Sequence, residues 1–239
     1  MQTEGRNAVL ELLKTDKTID KIMLEQGAQG SLSRIFAEAR KRDVRVQFVS
    51  RAVLDKTSET GHHQGVIAYT TDYAYCELED IVAAKGKNGG FIVLCDSIED
   101  VHNLGSILRV CECAGVDGVV LPKAKSATVN EAVIRISAGA AQHVKVTKVS
   151  SLNRAIETLK ESGYWVYALE AGEQSIYQAD LTGNLALVVG GEDSGVHRLT
   201  RELCDGTLSI PLFGKVNSLN ASVALGVACY EAVRKREKL

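Results

Sequence analysis

The side chains of this 239-residue chain best placed to do chemistry are two asparagines, an arginine, a glutamate and a serine, all near the ends of apolar runs. Three polar segments hold them. In the first, DSIEDVHNLGSILRVCECAGV (96–116), Asp96 and Asp100 flank a loop, Asn103 is placed to cap a helical run, and Arg109 lies further along that run. Six residues of separation would put Asn103 and Arg109 on different faces if both were helical, and a capping Asn103 avoids this. In the second, LVVGGEDSGV (187–196), Gly190 and Gly191 let a ligand approach the backbone closely, and Glu192 follows at once. In the third (209–233), Ile210-Pro211 ends a strand, and a loop then carries Lys215, Asn217, Ser218 and Asn220 into a helix of small residues. Each segment alone reads as a capped helix or a tight turn. All three in order, each after a strand, mark a site. Arginine stays charged at any accessible pH, so it is a poor general base and acts through its charge and its donors.

The elements that must position these residues alternate between strand and helix almost throughout. The spacing predicts a helix from Arg6, a strand at 19–24, a helix with Leu32, Ile35, Phe36 and Ala39 facing inward, a strand at 44–49, a short helix at 51–56 and a strand at 66–70. Residues 1–72 therefore read as a small α/β domain. The stretch 73–90, a weak helix running into KGKNGG, reads as a linker. From 91 to 239 a second α/β domain follows. Its strands are expected at 91–95, 117–121, 143–147, 164–169, 185–190 and 207–211, and its helices at 104–114, 130–138, 151–162, 197–203 and 220–236. Continuous apolar strands such as LALVV suit a parallel sheet covered on both faces. Open sheets of that kind bind ligands at the carboxyl ends of their strands, where the three segments fall.

Several classes are excluded or disfavoured. No strand is followed by G-x-G-x-x-G, and no P-loop or G-x-S-x-G elbow occurs. The six cysteines form no C-x-x-C and lack zinc spacing, so they read as buried reduced thiols, and no metal is expected. The adjacent His62 and His63 would face opposite ways in a strand and make poor joint ligands. A net charge of −2 is not the footprint of a strongly basic nucleic-acid binder. One basic run, Arg40 to Arg45 with Arg34 before it, is either a solvated helix end or a contact for RNA phosphates. No apolar run spans a bilayer and the N-terminus lacks a signal-peptide core, which leads to the expectation of a cytoplasmic protein.

At the three segments the chain resembles the SpoU (TrmH) family of SPOUT RNA ribose methyltransferases. Asn103-Leu-Gly-Ser-Ile-Leu-Arg109 is similar to the family's first motif, Gly191-Glu192 with Gly195 to its second, and Ile210-Pro211 through Ser218-Leu219-Asn220-Ala-Ser222 to its third. The likeness covers about residues 90–236. Glu4 to Val9 and His63-Gln64-Gly65-Val66 resemble the small substrate-binding domain of such enzymes. Val101, Asp193 and Ala221 stand where the family commonly has proline, glycine and valine.

The resemblance implies an L30e-like N-terminal domain and a SPOUT catalytic domain with a deep trefoil knot. It implies S-adenosylmethionine as cofactor, held by backbone groups at Gly190, Ile210 and Leu219, and a homodimer with the 220–236 helix near its interface. It implies methylation of a ribose 2′-hydroxyl, closest to the members that modify one guanosine of bacterial 23S ribosomal RNA. Arg109 takes the catalytic position, with Asn103, Glu192, Ser218 and Asn220 around it. Arg34, Arg40, Arg42, His63 and Gln64 are the expected RNA contacts. Transfer RNA, another ribosomal site, or RNA binding without catalysis are the alternative readings.

Overall fold

The computed structural model describes residues 1–238 except 16, 28, 72, 173 and 192–194, and it forms two compact units, 1–74 and 75–239. The first unit contains β1 (Gln2–Glu4), α1 (Arg6–Leu12), β2 (Thr18–Glu25), α2 (Ser31–Lys41), β3 (Val46–Val49), α3 (Arg51–Thr57) and β4 (Val66–Thr71). Its sheet runs β1-β4-β2-β3, with only β2 and β3 parallel. The two-residue period of the strands separates two small cores. Ile22, Leu24, Val66 and Ala68 pack under Val9 of α1 and Leu32, Ile35 and Ala39 of α2, while Met23, Val49 and Ile67 meet Leu54 of α3. The N-terminal strand β1 escaped the sequence reading. Its three residues carry no period of their own and are defined by pairing with β4.

The second unit contains α4 (Leu78–Val82), β5 (Phe91–Asp96), α5 (Val101–Cys113), β6 (Gly118–Pro122), α6 (Glu131–Ile136), β7 (Lys145–Val149), α7 (Leu152–Glu161), β8 (Trp165–Leu169), β9 (Leu185–Gly190), α8 (Arg198–Leu203), β10 (Gly206–Leu208) and α9 (Ala221–Arg236). Six parallel strands lie in the order β10-β8-β9-β5-β6-β7. The chain builds outward from β5 to β7, then crosses to the other side for β8 to β10. Strand order therefore reverses between β5 and β9, and ligands of open parallel sheets bind at such a switch point.

On one face Ile92, Leu94, Val120, Val166, Ala186 and Val188 pack with Ile156 and Leu159 of α7 and with Leu78 and Ile81 of α4. The expected linker is thus corrected. Residues 75–90 belong to the second unit, because Ile81 is fully buried and Cys76 donates its backbone N–H to the Val146 carbonyl at 3.0 Å. A Cβ on Gly118 would lie 2.5 Å from the Ile81 side chain, so a glycine is needed where α4 crosses the sheet.

The other face is covered by α5, which packs against α6 and α9. Buried thiols of Cys95 on β5, Cys111 on α5 and Cys229 on α9 meet there, and burial together with the Cys229 contact pushes the Cys111 thiol well up. These are inert core residues, as their apolar surroundings suggested. Gly105 lets α5 approach α6 closely. Its Cβ would lie 2.6 Å from Cγ2 of Ile136. No helix among the described residues is long and apolar enough to cross a membrane.

Two outcomes follow from these contacts. Gly105→Ala gains about 1 kcal/mol of helix propensity but overpacks a close helix contact, at a cost of about 1–3 kcal/mol. Urea unfolding is expected to show a net loss of up to about 2 kcal/mol. In the first unit, Glu4 accepts hydrogen bonds from Gln2 Nε2, Ser58 Oγ and the Glu59 N–H, each at 2.6 Å, and from the Thr60 hydroxyl. Burial opposes ionisation, but these donors outweigh it and bring the pKa from 4.5 to about 2. The lowered value stabilises the folded form above pH 4.5, and that contribution is lost as pH falls from 4.5 through about 2. The urea midpoint of wild type should fall over this window more steeply than that of Glu4→Gln.

Candidate active site

The carboxyl ends of β5, β8, β9 and β10 converge on one region. Asp96 and Gly190 are register partners at the ends of β5 and β9. Leu169 and Leu208 end β8 and β10 beside them. A cavity of about 260 Å³ opens here, and Gly190, Gly191, Gly195, Ile210, Ser218 and Leu219 are among its walls. The structure thus gathers Gly190, Ile210 and Leu219, the three expected cofactor contacts, together with Ser218. It adds Leu169, Glu170, Ala171, Leu208 and Leu212, which the motifs did not single out. They could have been found by applying the strand-end rule to β8 and β10 as well. The walls are mostly apolar side chains and glycine backbone. Such a lining suits a flat ring read by peptide N–H and C=O groups.

A Cβ on Gly190 would collide with the backbone of Gly195, so the chain leaving β9 folds back tightly upon itself. Gly195 adopts a φ of 60° and donates its N–H to the Gly191 carbonyl at 2.8 Å. Glu192, expected between them, lies outside the described residues.

Beside the cavity, two asparagines join the first and third motifs. Asn220 caps α9: its Oδ1 accepts from the Ser222 N–H at 3.0 Å and the Val223 N–H at 3.3 Å. Its Nδ2 donates to Oδ1 of Asn103 at 2.8 Å. Asn103 is not the cap of α5, as its position suggested. Asp100 is, accepting from the Asn103 N–H at 2.8 Å, so Asn103 sits inside the first turn. Both Asn103 and Arg109 are therefore helical and stand roughly 120° apart around α5. Arg109 is exposed, does not line the cavity, and its side chain has no hydrogen bond or ion pair among the described residues.

In the first unit the expected RNA contacts divide. Arg34 and Arg40 are exposed, Arg40 lying 5.6 Å from the Phe36 ring centroid. Arg42 is instead committed to structure. Its guanidinium donates to the carbonyls of Leu13 at 2.9 Å and Lys17 at 3.3 Å, closing the end of α1. His63 is corrected likewise. Its ring is 2 % exposed, with Nε2 at 2.8 Å from Asp55 Oδ1 and Nδ1 accepting the Gly65 N–H at 3.0 Å. It holds the turn that presents the exposed Gln64, whose carbonyl accepts from Arg6 Nε at 2.9 Å. Arg6, part of the Glu4–Val9 stretch that resembles the substrate-binding domain but not among the expected RNA contacts, reaches Ser31 Oγ at 3.2 Å from the same surface.

Residues 90–230 match the SpoU rRNA methylase family, and residues 3–76 match the RNA 2′-O ribose methyltransferase substrate-binding family. The chain belongs to the SpoU methylase family, whose members methylate RNA at the ribose 2′-oxygen. Among its relatives, the 23S rRNA (guanosine-2′-O-)-methyltransferase RlmB of Xanthomonas campestris is 43% identical, over 97% of this chain and 95% of that one. YacO of Bacillus subtilis, assigned to the TrmH family of tRNA/rRNA methyltransferases, is 41% identical over 97% of this chain and 94% of its own. The fold is that of the SpoU methyltransferase AviRb from Streptomyces viridochromogenes, solved with AdoMet. That structure superposes with a TM-score of 0.64 at 20% identity and covers 100% of this chain and 91% of that one.

The dual role of Asn220 gives a test. Asn220→Asp keeps the capping oxygen but removes the donor to Asn103, whereas Asn220→Ala removes both. The alanine variant should lose about 1 kcal/mol in urea unfolding, typical of a lost N-cap, and the aspartate variant much less.

Proposed function

We propose that this protein transfers a methyl group from S-adenosylmethionine to the ribose 2′-hydroxyl of a guanosine in 23S ribosomal RNA. The observation that carries the proposal is the cavity at the switch point, lined by Gly190, Ile210 and Leu219 and bordered by the Asn103–Asn220 pair. The likeness to RlmB along nearly the whole chain, both units included, supports ribosomal RNA as substrate.

The cofactor, when bound, supplies a methyl group already activated by a positive sulfur. The protein's share is alignment of the 2′-oxygen with that methyl and removal of the hydroxyl proton. Arginine is a poor base, so Arg109 serves by its charge and donors: it orients an RNA phosphate and lowers the pKa of the 2′-hydroxyl, and the proton leaves to phosphate or water. Asn103, Asn220, Ser218 and Glu192 position the ribose and the guanidinium.

A second copy of the chain completes the site in this reading. Arg109 is exposed and does not line the cavity, and the loop after β10 exposes Phe213 by 98% and Val216 by 74%. Tyr230 and Val223 on α9, the helix that follows this loop, are more than half exposed. Apolar surface of this kind suits a subunit interface. The backbone passage that forms the cavity is the segment expected to thread a knot. Arg6, Arg34, Arg40 and Gln64 of the first unit are the proposed RNA contacts.

The test is transfer of labelled methyl from S-adenosylmethionine to unmodified 23S rRNA and to bulk tRNA, followed by mapping of the methylated ribose. Label on one rRNA guanosine is expected. Arg109→Ala should lower the rate by at least about 100-fold, as expected for loss of a charge that acts in the transition state. Arg109→Lys should remain well below wild type, because an ammonium lacks the planar fork. Label on tRNA alone would keep the chemistry and overturn the substrate.

A further inference from the structure

We infer that Asp96 and Glu170 are positioning residues for methyl transfer, a pair of carboxylates that clamp the glycine turn forming one wall of the cofactor cavity. The inference rests on the cofactor assignment proposed above. The turn leaves β9 at Gly190 and returns toward α8 at His197. Its two described ends are joined to each other by the Gly195 N–H and the Gly191 carbonyl at 2.8 Å. Gly190, Gly191 and Gly195 bring no side chains to hold the two described ends of the turn in place. Those ends have anchors in neighbouring elements.

The strands on either side of β9 supply them. From the end of β5, Asp96 Oδ2 accepts the His197 backbone N–H at 2.8 Å, and Oδ1 lies 2.9 Å from His197 Nδ1. The Asp96 carbonyl also accepts the Gly191 N–H at 3.0 Å. From just beyond β8, Glu170 Oε1 accepts the Val196 backbone N–H at 2.7 Å. Its Oε2 lies 3.4 Å from Arg201 Nη1 of α8. Two consecutive peptide N–H groups are thus pulled toward two different strands, which fixes both the place and the tilt of the turn. A hydrogen bond to an ionised acceptor is roughly twice as strong as a neutral one. Asp96 is only 6% exposed, and burial of a carboxylate is costly unless donors surround it, as they do here.

The clamp bears directly on the cavity. Glu170, Gly190, Gly191 and Gly195 all line it. A Cβ on Gly195 would collide with the Glu170 carboxylate, so turn and clamp are in contact with no space between them. Release of either carboxylate lets this wall drift, while the sheet and the helices of the core keep their own contacts.

The experiment compares Asp96→Ala, Asp96→Asn, Glu170→Ala and Glu170→Gln. The readouts are S-adenosylmethionine affinity by calorimetry, separate KM values for S-adenosylmethionine and RNA, and the urea midpoint. Both alanine variants are expected to bind S-adenosylmethionine on the order of tenfold more weakly and to raise its KM in step, the RNA KM staying within about twofold, as for loss of one charged hydrogen bond. The amide variants should recover most of the affinity. In Glu170→Gln the side-chain amide still offers an oxygen to the Val196 N–H. In Asp96→Asn it offers an oxygen to the His197 N–H and keeps an amide group beside Nδ1. Should Asp96→Ala fail to fold, Glu170→Ala at a partly exposed position reads the clamp alone. Alanine variants with wild-type affinity and KM, or with activity lost only in proportion to the unfolded fraction, would overturn the clamp. Wild-type protein that binds no S-adenosylmethionine would overturn the cofactor reading and the clamp with it.

Discussion

One side chain ties the site together. The Asn220 amide uses its oxygen to start α9 and its nitrogen to hold Asn103 in the first turn of α5. The two helices that cover one face of the catalytic sheet are thereby joined at the end where the cavity opens. A carboxylate could cap α9 but could not donate to Asn103, and a hydroxyl is too short for both tasks. Below this bond Ala221 and Ala224 continue the cavity wall. At its other end α9 is fastened by Lys235, which donates to the carbonyls of Tyr177 at 3.0 Å and Ile176 at 3.3 Å, and by Arg236, which donates to Gly89 at 2.8 Å. The helix is a strut between the cavity and the opposite end of the sheet, where the chain enters β5.

The choice of glycine in the motifs has three separate causes. Gly105 makes room for α6, Gly190 makes room for the returning backbone, and Gly195 takes a left-handed conformation against the Glu170 carboxylate. Each of these causes lies within the protein itself. A turn of this sort brings bare peptide groups to a cavity without the helix N-terminus that a nucleotide fold employs. That is the physical counterpart of the missing G-x-G-x-x-G.

In the first unit the polar residues of the sequence play two different parts. His63 and Arg42 carry charge or potential charge, yet each is used up inside the unit, one by Asp55 and a backbone N–H, the other by helix-end carbonyls. Arg6, Arg34, Arg40 and Gln64 keep polar groups at the surface. Recognition of RNA through shape and phosphate needs few cations if they are well placed, which is consistent with a near-neutral chain.

The alternation of apolar runs and amphipathic stretches was enough to place nearly every strand and helix, since burial on a parallel sheet leaves a plain pattern in composition. The three polar segments, together with the family resemblance they carry, marked Asn103, Gly190, Ile210, Ser218, Leu219 and Asn220, which the structure places in or beside one cavity. Other features were not legible. Residues 75–90 look like a linker because only Leu78 and Ile81 are deeply buried, and two apolar side chains make no period. His63 reads as a surface residue until Asp55 and Gly65 are seen around it. Glu170 belongs to no motif, and its role exists only because β8 lies next to β9. Local pattern determines which elements form, because each must bury its own face. Which carboxylate meets which peptide N–H is decided by strand order, a long-range property that no stretch of sequence contains.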